Sequence, residues 1–125
     1  KNTSSTVSTN DIKKIADGYK KKLTDAFQIR INNSDLSSQK FDLDKLVSDI
    51  EYAIRMNLQG SLSYNRKEIV LKSISNNDNN TFFRDILLGK IKPDTLWNMP
   101  KELMEDEKII NEKKYNKLLI LSFFL

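Results

Sequence analysis

A chain of 125 residues is long enough for one domain with one hydrophobic core and too short for two. Its 21 basic and 17 acidic residues leave a net charge of +4, a mild bias that permits an acidic partner without demanding nucleic acid. The absence of Cys and His excludes disulfides, Cys/His zinc sites and Ser-His or Cys-His nucleophile pairs.

Residues 1–9 are rich in Ser and Thr without apolar periodicity and are expected to form a disordered leader. No signal-peptide pattern opens the chain, and a start at Lys1 without Met is expected of a piece of something longer. A first helix is predicted to begin at Asn10 or Asp11, either of which can cap it. Ile12, Ile15, Ala16, Tyr19, Leu23, Ala26 and Phe27 then recur at helical spacing and should face the core. Lys13, Lys14, Lys20, Lys21 and Lys22 take the opposite face, where Asp17 and Asp25 are placed to pair locally. Residues 32–40 read as a polar loop.

A second helix is predicted from Asp42, with Leu43, Leu46, Val47, Ile50, Ala53, Ile54 and Leu58 as its stripe and Gly60 as its stop. A third covers residues 61–74, with Tyr64, Val70, Leu71 and Ile74 turned inward. The run Ser75-Asn-Asn-Asp-Asn-Asn80 breaks the periodicity. A short fourth helix over residues 81–88 should bury Phe82, Phe83, Ile86 and Leu87 and end at Gly89. Pro93 suits the first position of another short helix carrying Leu96 and Trp97. Pro100 opens a last helix with Leu103, Met104, Ile109, Ile110, Tyr115, Leu118 and Leu119. The apolar tail over residues 118–125 is far shorter than the ~18 residues of a membrane span and is expected to pack as a helix on the bundle. No stretch alternates with period two, so the fold class is all-α: a small bundle of about three longer helices plus short ones, without internal repeats.

The order and spacing of Phe82, Arg84, Ile86, Leu87, Gly89, Ile91, Pro93, Leu96, Met99, Glu102 and Met104 resemble the end of the central domain of transcription elongation factor TFIIS, or a TFIIS-like domain of a larger chromatin-linked protein. Upstream, Ile50-Glu-Tyr-Ala-Ile54 and Tyr64-Asn-Arg-Lys67 resemble further stretches of that family, and the likeness runs over residues 11–107. The chain departs from the family where Ser73-Ile-Ser-Asn-Asn-Asp-Asn-Asn80 stands in place of its usual Asn-Leu-Lys-Asp followed by Asn-Pro.

The resemblance implies a nuclear, non-catalytic helical module at residues 10–117 that docks on RNA polymerase II through a basic face. Arg66, Lys67, Lys72, Arg84, Lys90 and Lys92 are the candidates for that face, because they fall among only three acids, Glu68, Asp78 and Asp85. An ordinary solvated surface is the plainer reading of the same charges. The alternative function is a basic helical nucleic-acid-binding domain, against which the small net charge and the lack of a reading-helix motif both weigh. No catalytic residue, cofactor or metal ligand is expected. TFIIS cleavage chemistry uses an Asp-Glu pair on a zinc ribbon, which this Cys-free chain cannot build, so Glu105-Asp-Glu107 reads as a set of helix-start acids.

Overall fold

The computed structural model describes residues 9–104, and within them it is wholly helical. α1 covers Thr9–Asn32, α2 Leu43–Asn57, α3 Gly60–Ser75 and α4 Asn80–Leu87, followed by 3-10 turns at Pro93–Thr95 and Lys101–Met104.

α1, α2 and α3 pack in an up-down-up arrangement. Tyr19 of α1 donates to the Lys67 carbonyl of α3 at 2.8 Å, and Arg30, further along α1, reaches Asn77 just beyond α3, so these two helices run parallel. α2 returns between them, bringing Leu58 at its end beside Ile12 and Ile15 near the start of α1. Leu23, Phe27, Ile50, Ile54, Val70, Ile74, Phe82, Phe83 and Ile86 meet in the fully buried core. Each such side chain contributes about 1.5–3 kcal/mol through burial. Leu96 and Met104 close the core from the C-terminal side, and half-buried Trp97 packs against it.

Local signals fix several boundaries. Asp42 caps α2 by accepting from the Lys45 amide at 3.1 Å. Asn79 caps α4, its Oδ1 accepting from the amides of Thr81 at 3.2 Å and Phe82 at 3.0 Å. Gly89 ends α4 at φ +80, with the Lys90 amide donating to the Asp85 carbonyl at 2.8 Å and the Gly89 amide to Ile86 at 3.2 Å. That pair of bonds is a Schellman motif, and its left-handed position is the one glycine occupies without strain. Pro93 opens its turn with φ pre-set and no amide to satisfy.

The structure corrects four expectations. Gly60 does not stop α2: the helix ends at Asn57, Leu58 and Gln59 are extended, and Gly60 at φ +56 opens α3. The corner between the two helices thus needs two extended residues and one left-handed one. Ile12, Ile15 and Tyr64 are exposed, not inward. The cause is the corner between α2 and α3: Ile12, Ile15 and Tyr64 surround the extended Leu58 and Gln59 and the side-chain-free Gly60, which pack less over them than a helix face does. The polar loop after α1 is not wholly solvated either, since it buries Leu36. Finally, the short helix expected at Pro93 is present in 3-10 form, and the described start of the helix expected after Pro100, Lys101–Met104, is 3-10 as well. The leader up to residue 8, the rest of the predicted last helix and the apolar tail lie outside the described residues.

Candidate docking surface

The six predicted cations do not share one role. Two are taken up inside the domain. Arg66 extends its guanidinium from α3 to the Met99 carbonyl at 2.6 Å and approaches Met104 Sδ at 3.9 Å, fastening the segment after α4 onto the bundle. Lys67 lies over the Tyr19 ring at 5.3 Å, with its Nζ 3.3 Å from Glu51 Oε2. Glu51 is a buried acid on α2 and also accepts from Arg55 Nε at 3.0 Å. A carboxylate in the interior is tolerated only when paired and hydrogen-bonded, so Lys67 and Arg55 answer a structural need. The Tyr19 hydroxyl sits beside this group. Burial, reinforced by the negative charges of Glu68 and Glu51, pushes its pKa well above the usual tyrosine range and keeps it a neutral donor.

The other four reach solvent. Arg84 on α4 forms an ion pair with Asp35 of the loop after α1, and that hydrogen bond holds the Asp35 carboxyl below the ordinary carboxylate range. Arg84 and Lys90 line one cleft of about 390 Å³ with Asn80, Thr81, Asp85 and Leu88. Lys92 lines a different cleft with Asp42, Lys45 and Asp49, where Asp49 is already paired with Lys45 at 2.9 Å. Lys72 is exposed on α3. The structure therefore brings Arg84 and Lys90 to one cleft, places Lys92 on another, and ties Arg66 and Lys67 into contacts within the domain. On α1, Lys20 pairs with Asp17 at 3.4 Å and Lys21 with Asp25 at 3.6 Å, as the sequence predicts. Such exposed pairs contribute at most about 1 kcal/mol.

Sequence reasoning missed two features. The first is Arg30, which lies buried in the last turn of α1 with its guanidinium 4.4 Å from the Phe83 ring centre. It donates to Asn77 Oδ1 at 2.6 Å, the Asn79 carbonyl at 2.8 Å and Asn80 Oδ1 at 2.9 Å. The Asn-rich run where the chain departs from the TFIIS pattern is thus a clasp around one arginine. The density of Asn acceptors was the available signal, though nothing local named the donor. The second is an apolar groove of about 440 Å³ where the start of α1 meets the α2–α3 corner, lined by Ile12, Ile15, Leu58 and Tyr64 together with Arg55 and Lys67.

Among the described residues no group of three or more acids could hold a metal ion, and no helix is long and apolar enough to cross a membrane. The family described as Transcription factor S-II (TFIIS), central domain, matches residues 11–119. The chain belongs to the TFIIS central-domain family. No curated protein sequence matches it. The match spans all of α1 but its first two residues, the other three helices and both 3-10 turns, so the Schellman stop at Gly89, the turn at Pro93 and the buried Leu96 and Met104 all fall within the family's boundaries. As a TFIIS central domain, the chain is a helical module of the transcription-elongation-factor type.

Proposed function

We propose that this domain is a non-catalytic docking module that attaches an elongation factor to RNA polymerase II in the nucleus. The observation that carries the reading is the family match over nearly the whole chain. The surface chemistry agrees with it: Lys72, Lys90 and Lys92 are exposed, and Arg84 borders the same cleft as Lys90. Cations held on a rigid bundle steer association with an acidic partner and set its register more than they add raw affinity.

The reading is tested with the purified chain and purified RNA polymerase II, comparing the parent with a combined Lys72→Glu, Lys90→Glu, Lys92→Glu variant. These side chains are exposed, so the variant keeps its circular dichroism. Polymerase binding is expected to weaken and lose much of its salt dependence, chiefly through a slower on-rate. Unchanged binding by the folded variant refutes this surface. Equal binding of the parent to bare DNA supports the nucleic-acid alternative instead.

A further inference from the structure

The apolar groove at the end of the bundle belongs to no part of the docking reading. Ile12 and Ile15 come from the first turns of α1, Leu58 from the corner after α2, and Tyr64 from the start of α3. Ile15 is 59% exposed and Tyr64 65%. The volume, about 440 Å³, falls in the ~300–1,000 Å³ range of built ligand clefts. Its apolar lining offers further burial to any apolar segment that can reach it.

The chain supplies one candidate of the right chemistry. Residues 1–8, which precede α1, contain a single apolar side chain, Val7. The stretch beyond Met104 instead ends in Leu118-Leu-Ile-Leu-Ser-Phe-Phe-Leu125. Reach is sufficient. From Met104, held against Arg66 of α3, residues 105–117 can span up to ~43 Å, more than the ~36 Å length of α1, the longest helix of the bundle. The family match stops at residue 119, so most of this apolar run is additional to what the family supplies.

We propose that residues 118–125 fold back into the groove formed by Ile12, Ile15, Leu58 and Tyr64, capping the open end of the bundle with the chain's own tail. The occupant is intramolecular and apolar.

The absence of Cys makes the test clean, because Ser122→Cys creates a single site for a nitroxide spin label on the full chain. The label should broaden the amide signals of Ile12, Ile15 and Ser63 and spare Asn33, which lies ~27 Å further along α1 from Ile15. The broadening should persist on dilution and disappear in the labelled Ile15→Asp variant, whose exposed substitution leaves the core untouched. Loss of signal confined to mixtures of isotope-labelled and spin-labelled chains would assign the groove to a second copy and overturn the proposal. Equal broadening at Asn33, no broadening anywhere, or broadening that survives Ile15→Asp would overturn it as well.

Discussion

Replacing Lys67 by Met should destabilise the domain by about 3 kcal/mol, although the residue reads in sequence as one member of a surface cluster. Lys67 is 12% exposed, and the Glu51 carboxylate it faces is 3% exposed. Removing one partner of a buried ion pair costs about 3–5 kcal/mol, because the remaining charge is stranded in low dielectric. Arg55 stays within 3.0 Å of Glu51, which sets the expectation at the lower end. Its side chain is 39% exposed, and solvent screens its share of the attraction. A loss of about 3 kcal/mol lowers the melting temperature of a domain this size by roughly 10–13 °C. The assay is urea and thermal unfolding followed by circular dichroism, with m-values compared so that midpoint shifts report stability. Glu51→Leu combined with Lys67→Met completes the cycle. It replaces the pair by apolar groups and should recover to within about 1 kcal/mol of the parent. The reasoning is refuted if Lys67→Met lies within about 0.5 kcal/mol of the parent. It fails equally if the double variant is no more stable than Lys67→Met alone. One practical corollary is that charge reversal at position 67 cannot probe docking, since a second carboxylate there would face Glu51 and unsettle the fold.

Two further predictions concern the second half of the domain. Gly89→Val should cost roughly 1 kcal/mol or more, seen as a lower urea midpoint. The φ of +80 is the cause, because a Cβ at this position would meet no atom within 4 Å, and an unchanged midpoint would contradict the left-handed assignment. Arg30→Met keeps an aliphatic stem against Phe83 but removes the three hydrogen bonds to Asn77, Asn79 and Asn80. Asn77 and Asn80 can turn to water while the Asn79 carbonyl stays buried, so the loss should be roughly 2–3 kcal/mol. Hydrogen exchange should then accelerate at the Thr81 and Phe82 amides before it does in α2, and uniform exchange would show that the clasp does not anchor α4.

What the sequence made legible is what depends on near neighbours. The Asp42 cap, the stop at Gly89, the turn at Pro93 and the burial of Phe82, Phe83 and Ile86 each follow from residues within a few positions of one another. The exposure of Ile12 and Ile15 could not be read the same way, because their spacing is as helical as that of Leu23 and Phe27. The difference lies in what stands opposite them, an extended corner at Leu58 and Gln59 with Gly60 in place of a packed helix face. Gly60 gave the right kind of signal at the wrong junction, since a left-handed glycine serves a helix start after an extended corner as well as a helix end. The site was legible in composition and not in arrangement. Arg66, Lys67, Lys72, Arg84, Lys90 and Lys92 look equivalent as a string, and only the buried Glu51 and the Met99 carbonyl, both distant in sequence, separate the structural cations from those facing solvent.

The turn at Lys101–Met104 is fastened twice, by Asn79 Nδ2 donating to the Met104 carbonyl at 3.0 Å and by Arg66 gripping the Met99 carbonyl. The residues that follow are therefore attached at a fixed point on the bundle. Covalent attachment at that point would present residues 118–125 to the proposed groove site at an effective concentration in the millimolar range. A groove contact too weak to form between separate molecules at cellular concentrations would then be substantially occupied within one. An outside ligand for the groove would have to outcompete a tethered rival before it could bind.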